Sequence, residues 1–221
     1  MVIGRTLIEG SPYLGVYLRA GESHVVAAPS IPSAIVRELE RQLVVRAVRT
    51  TVAGMEIAGA MSVMNSRGVI VSADTDDDEI DVLRSIAPVL RLRSRYNAVG
   101  NNILANDHGA VVHPEFTDDA VAKISAALHV PAHRGTIAGL GTVAMAAVAT
   151  NKGAVIHPRA TPKEAELVQE VLAVPVHRST ANFGVPIVGA CLVANSKAFV
   201  VGRPTTPVEI VHLQEGLDIF D

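Results

Sequence analysis

The residues able to do chemistry are few, and most occupy places that argue against it. Cys191 is the only thiol in the chain. A nucleophilic thiol needs a base within reach and an electropositive setting. Cys191 instead lies in Ala190-Cys191-Leu192-Val193, an apolar run that reads as a strand, and His177, the nearest histidine in sequence, forms no pattern with it. A buried cysteine acting as a small hydrophobe is the expectation. His113-Pro114-Glu115 has the look of an acid/base element, but His157-Pro158-Arg159 follows one period later without the glutamate. The His-Pro pair is therefore a repeated feature of a strand end. Asp74-Thr75-Asp76-Asp77-Asp78-Glu79 begins like a calcium loop. Glu79 stands where that loop needs glycine, and Ser85 where it needs its last glutamate. Carboxylates at a helix N-terminus explain the run without a metal.

Two further patterns bear on binding. Gly139-Leu140-Gly141-Thr142-Val143-Ala144 matches a dinucleotide fingerprint, which requires a strand before it and a helix opening inside it. The residues that follow align with a strand in the other units, so close backbone packing is expected here. Arg91, Arg93 and Arg95 alternate, which places all three on one face of a strand, as a solvated edge or as a contact for an acidic partner or RNA phosphate.

These motifs sit on a repeat. A turn anchor recurs as Asn65-Ser66-Arg67-Gly68, Asn106-Asp107-His108-Gly109, Asn151-Lys152-Gly153 and Asn195-Ser196-Lys197, with anchors 41, 45 and 44 residues apart. Ala20-Gly21-Glu22-Ser23 reads as a divergent fifth copy, so five units fill the 221 residues. A fixed period of this size means a solenoid, a propeller or a closed ring. Apolar runs flank each Asn-x-Gly turn, as in a β-hairpin. Helix starts are expected at Ser30, Thr75, Thr117, Thr161 and Thr206. Thr161-Pro162-Lys163-Glu164 and Thr206-Pro207-Val208-Glu209 are capping boxes with proline at the first helical position. Ala165, Val168 and Leu172 then recur at helical spacing, and Pro175 stops the helix. The expected fold is a single α/β domain of five units (about 1–43, 44–86, 87–128, 129–172 and 173–221), a ring with strands inside and helices outside. Met1 and Asp221 would belong to adjacent units.

Half the residues are apolar but only 3% are aromatic, so Val, Ala, Ile and Leu must fill the core. The net charge of −3 is not that of a polyanion-binding protein. One cysteine excludes an internal disulfide and fits a reducing compartment. The N-terminus lacks a signal-peptide layout, and the longest weakly polar stretch, 137–149, is too short to span a bilayer, so a soluble cytoplasmic protein is expected.

Small residues cluster before each hairpin at Gly15, Gly59, Gly100-Asn101-Asn102, Gly141 and Gly189. They permit tight turns, and they also make a flat surface that a partner's backbone can approach. Tyr96-Asn-Ala-Val-Gly-Asn101 with Asn106-Asp107, Gly135-Thr-Ile-Ala-Gly139, Val148-Ala-Thr-Asn-Lys-Gly153 with His157-Pro158, Asn182-Phe-Gly184, Leu192-Val-Ala-Asn-Ser-Lys197 and Val200-Val-Gly202 together resemble translation initiation factor 6 in its archaeal-type form. The resemblance runs in order over the whole chain. It implies the pentein fold, a five-bladed α/β propeller. It implies a monomeric factor that binds the large ribosomal subunit on its intersubunit face, on a ribosomal protein beside the sarcin–ricin loop, with limited rRNA contact. There it would block small-subunit joining and take part in subunit maturation, without a cofactor or a reaction of its own, and would be released by a translational GTPase. The family's docking rim carries onto the loops holding Gly15, Gly59, Gly100 and Asn101. The alternative is a guanidino-modifying pentein enzyme using Cys191.

Overall fold

The computed structural model describes residues 4–220. The order is β1 (Gly4–Thr6), α1 (Leu14–Tyr17), β2 (Arg19–Ala20), β3 (His24–Ala27), α2 (Ser33–Leu43), β4 (Arg46–Arg49), α3 (Ala58–Met61), β5 (Ser62–Met64), β6 (Val69–Ser72), α4 (Asp77–Leu83), β7 (Val89–Leu92), α5 (Val99–Asn102) and β8 (Ile103–Ala105). It continues with β9 (Ala110–Val112), α6 (Asp118–Leu128), β10 (Ala132–Arg134), α7 (Val143–Ala146), β11 (Ala147–Ala149), β12 (Ala154–Ile156), α8 (Pro162–Leu172), β13 (Val176–Arg178), α9 (Val188–Cys191), β14 (Leu192–Ala194), β15 (Phe199–Gly202) and α10 (Pro207–Leu217).

The strands form five three-stranded sheets of one design. An antiparallel hairpin, such as β5–β6, is joined by a parallel third strand from the following unit, here β7. The fifth sheet takes its third strand from the other end of the chain: β1 pairs with β15. The described strands thus bring the first and last units together, while Met1 and Asp221 lie outside the described residues. The five four-residue helices pack on one another in a cycle, α1 on α3, α3 on α5, α5 on α7, α7 on α9 and α9 back on α1. The inner strands β2, β5, β8, β11 and β14 follow the same cycle.

The one-turn helices were not anticipated. Val143 to Ala149 reads as one apolar strand, but the structure divides it into α7 and β11. Small residues with little β-branching permit the turn, and packing against the neighbouring helices makes it form. Cys191 accordingly ends α9 and does not lie in a strand.

The turn register also differs by one residue in the fourth unit. Asn65 Oδ1 accepts from the amides of Arg67 and Gly68, and Asn106 and Asn195 repeat the pattern. In the fourth unit Thr150 Oγ1, not Asn151, holds that place, accepting from Lys152 and Gly153. The first unit has Gly21 there, whose amide bonds to His24 O.

These anchors latch neighbouring units. Asn65 Nδ2 donates to Asn106 O at 3.2 Å and to Leu128 O at 2.8 Å. Asn106 Nδ2 does the same to Thr150 O and Leu172 O, and Asn195 Nδ2 to Gly21 O and Leu43 O. Each latch satisfies a carbonyl that its helix end leaves without a partner. Asn151 belongs to a second series one position later, in which Ser66, Asp107, Asn151, Ser196 and Glu22 are hydrogen-bonded in turn.

The long outer helices begin at N-caps Pro32, Asp76, Thr117, Thr161 and Thr206. The last three fall where expected. Thr75 is one residue early because Asp76 forms the capping box with Glu79. Ser30 is two early because Pro32 starts that helix.

One arginine per sheet occupies the same register on the third strand. Arg5, Arg49, Arg91, Arg134 and Arg178 stand opposite Val201, Ala27, Val71, Val112 and Ile156. Four of them hold the start of an outer helix. Arg49 donates to Ile31 O, Arg134 to Phe116 O and Asp118, Arg178 to Ala160 O, and Arg91 pairs with Asp77 at 2.6 Å. The expected face of Arg91, Arg93 and Arg95 therefore divides: β7 ends at Leu92, and the other two lie in the loop beyond.

Asn195→Ala removes the latch between the last and first units. It should cost about 1–3 kcal/mol in chemical denaturation, since two carbonyls and two amides lose their partner. Thr150→Asn, which restores the missing latch, should cost nothing or raise the midpoint.

Candidate functional site

Each one-turn helix is preceded by a tight loop at the same place in the repeat. Four of these loops close through single bridges: Ile8 to Ser11, Val52 to Met55, Ile137 to Leu140 and Ala181 to Val185. Their tips have positive φ at two successive residues, Glu9-Gly10, Ala53-Gly54 and Ala138-Gly139, with glycine relieving the second. Gly139 is thus a turn residue. At Gly141 a Cβ would stand 2.3 Å from His113 Nε2, so the glycines of the dinucleotide-like pattern serve the turn and close packing. The third loop, 93–96, closes through side chains. Tyr96 stacks on His113 with ring centroids 4.0 Å apart, and its hydroxyl donates to Glu115, which also pairs with Arg95. The fifth loop carries one extra residue, giving positive φ at Asn182, Phe183 and Gly184.

A glutamate, buried at Glu79 and Glu209 and half-buried at Glu164, ties several of these loops to an outer helix. Glu209, at the third position of α10, accepts from the amides of Thr206, Phe183 and Gly184 and from the hydroxyls of Thr180 and Thr206. Burial pushes its carboxyl pKa up, but these donors outweigh burial and hold it at about 2. Glu164 likewise binds Thr136, Gly139 and Thr161 and is held at about 2. Glu79 binds Thr51, Ala53, Gly54 and Asp76, which lower its pKa against burial. The starts of these outer helices, with the acidic run 74–79, therefore lie beside the loops.

The loops present large side chains to solvent: Met55, Leu140, Arg93, Arg95 and, most of all, Phe183, which is 81% exposed. The sequence held a signal for Phe183, an extra aromatic residue in a loop that is otherwise one residue shorter. The glycines singled out from sequence lie just behind these tips. Gly59 and Gly100 are buried and Gly15 is half-buried, each where the next backbone leaves no room for a Cβ. Asn101 is half-buried on α5, and its side chain has no hydrogen-bond partner among the described residues.

Cys191 is fully buried, and its Sγ donates to Ile187 O at 3.5 Å. Burial pushes the thiol up to about 12, with the charge of Glu209 adding to the effect and an Asn182 hydrogen bond opposing it. His113 and His157 repeat one role: Nδ1 of each accepts the amide two residues on. Among the described residues no group of His, Cys, Asp or Glu is arranged to hold a metal ion, and no helix is long and apolar enough to cross a membrane.

Cys191 should resist iodoacetamide in the folded protein at pH 8 and react fully in denaturant. The Glu209 and Glu164 staples are lowered below the ordinary 4.5, so their stabilisation is present at neutral pH and is lost as pH falls from about 4.5 toward about 2. Glu209→Gln should destabilise by about 1–3 kcal/mol at pH 7 and flatten this acid limb in denaturation curves taken across it.

The eIF-6 family model matches residues 3–216. Translation initiation factor 6 of Natronomonas pharaonis is 43% identical over 215 residues, covering 96% of this chain and 97% of the relative. That of Methanocella arvoryzae is 46% identical over 212 residues, 96% of each. That of Archaeoglobus fulgidus is 45% identical over 213 residues, 96% of this chain and 99% of the relative. These similarities extend across all five units, and the chain belongs to the eIF-6 family.

Proposed function

We propose that this protein acts in translation initiation by binding the large ribosomal subunit on its intersubunit face and blocking small-subunit joining, with a part in large-subunit maturation. The observation that carries the reading is the family match over nearly the full chain. The five repeated sheets and the cyclic packing support a five-bladed α/β propeller of the pentein type, a single rigid domain suited to work by steric exclusion.

The docking surface in this reading is the loop rim. Gly15, Gly59 and Gly100 draw the backbones together behind it, and Asn101 offers a polar group with free capacity. Met55, Leu140 and Phe183 supply apolar contact area. Exposed acids beside the rim, Asp76 to Asp78 at the start of α4 and Asp118 and Asp119 at the start of α6, complement a basic ribosomal protein near the sarcin–ricin loop. Arg93 is available for limited rRNA contact. The factor acts as a cytoplasmic monomer and is removed by a translational GTPase. The buried Cys191, whose thiol stays protonated, gives no support to the enzymatic alternative.

Phe183 combines exposure with a left-handed backbone (φ 64°) held by Glu209, a strained arrangement suited to presenting a side chain. In sucrose gradients the protein should travel with purified large subunits and reduce whole ribosomes when small subunits are added. Migration at the top of the gradient with normal ribosome formation would overturn the reading. Phe183→Ala should change stability by no more than about 0.5 kcal/mol yet weaken binding about tenfold or more in pelleting assays.

A further inference from the structure

Counting from the turn anchors, one position of the inner strands lines the same central cavity in every unit. It is Val63, Leu104, Val148 and Val193 in four units and Arg19 in the first. These five residues line a cavity of about 50 Å³, room for a few water-sized particles. The first unit thus carries a cation where the other four carry an aliphatic residue. Arg19 has no carboxylate partner among the described residues, and burial alone lowers its pKa to about 10. Its Nε is sealed from solvent without an acceptor.

The rest of the guanidinium shows what the arginine does. Nη2 donates to Gly59 O and, at 2.9 Å, to Gly100 O. Arg19 therefore crosses from the first unit to the second and third. The carbonyls it takes belong to α3 and α5, one-turn helices whose carbonyls have no intrahelical amide to accept. These helices stand directly behind the loops that carry Met55 and Arg93, and α5 carries Asn101.

A half-buried cation with its Nε sealed and only neutral carbonyls as partners is a poor way to gain stability. Replacing buried ionic groups by well-packed apolar ones is often neutral or stabilising. The four sister units supply the apolar alternative in the same environment. We infer that Arg19 is a positioning residue for docking: it fixes α3 and α5 relative to the first unit and so holds the second and third loops of the rim in their binding arrangement. The inference rests on the docking reading above, and it adds a dependence on a residue that touches no partner.

The test compares wild type, Arg19→Met and Arg19→Lys in three measurements: denaturant midpoint, amide hydrogen exchange, and affinity for purified large subunits by pelleting. Arg19→Met should keep or raise the midpoint, exchange faster at residues 57–62 and 98–103 alone, and bind about tenfold more weakly. Arg19→Lys, which can still donate to both carbonyls, should recover part of the affinity. A midpoint that falls together with affinity would make Arg19 a purely structural group and overturn the inference. Wild-type exchange at α3 and α5 in Arg19→Met would overturn it equally, as would undiminished binding. Failure of the wild type itself to bind would instead remove the docking reading, and the exchange result would still decide whether Arg19 fixes the two helices.

Discussion

At the centre of the molecule one backbone lies directly against the next. A Cβ on Gly59 would stand 2.0 Å from Gly15 O, one on Gly100 2.1 Å from Gly59 O, one on Gly15 1.9 Å from Gly189 O, and one on Gly189 2.0 Å from Ala144 O. No side chain fits such separations, so glycine is required by contact and not by φ. Only the fourth unit, at Ala144, carries a Cβ at this position. The approach sets the diameter of the cycle. With the helices this close, the inner strands need small or aliphatic side chains, and the scarcity of aromatic residues follows. A cycle also cannot relax at one end, since α9 packs against α1 as the others pack against their neighbours.

Given that cycle, its two ends divide the work. The hairpin turns lie where the outer helices finish, and there the anchors Asn65, Asn106 and Asn195 consume helix-terminal carbonyls of the adjacent unit. Arg67 and Lys197 reach carbonyls at the same helix ends, consistent with cations at the negative pole of a helix. The opposite end holds helix N-termini, with acids at the positive pole and the Glu79, Glu164 and Glu209 staples. One end is thus latched polar group to polar group. The other ties three of its loops by hydrogen-bonded carboxylates while leaving Met55, Leu140 and Phe183 in solvent. That is the distribution expected of a surface prepared for contact.

The five-unit design was legible because each unit repeats its turn, helix cap and stop in the same order. Two kinds of feature escaped. Val143–Ala149 gave no sign of its one-turn helix, because a single turn has no periodicity of its own and forms only against its neighbours. The fourth anchor is ambiguous in the sequence because Asn151 follows Thr150, and either oxygen can close such a turn; the hydrogen bonds choose Thr150. The glycines Gly15, Gly59 and Gly100 were visible in the sequence, but not that they lie behind the exposed loop tips. Phe183 could have been found by noticing the extra loop residue, and Arg19 by aligning the inner strands, where one charge stands among aliphatic residues.

In a repeated chain, symmetry itself separates structure from function. A residue demanded by the fold recurs from unit to unit: the third-strand arginine appears in all five, and the close-contact glycine in four. A departure from the pattern must be tolerated locally or selected for something the fold does not need. Thr150 is tolerated, since its hydroxyl closes the turn and only the latch is lost. Phe183 is not explained that way, because an exposed aromatic residue on three successive left-handed residues gains the folded state nothing it could not have from the shorter loop of its sisters. Arg19 is the same case inside the molecule, a charge where four aliphatic residues suffice. The two departures flank the rim, one at its tip and one behind its helices. A surface needing only five-fold regularity would have required neither, so five-fold symmetry of the fold does not account for them.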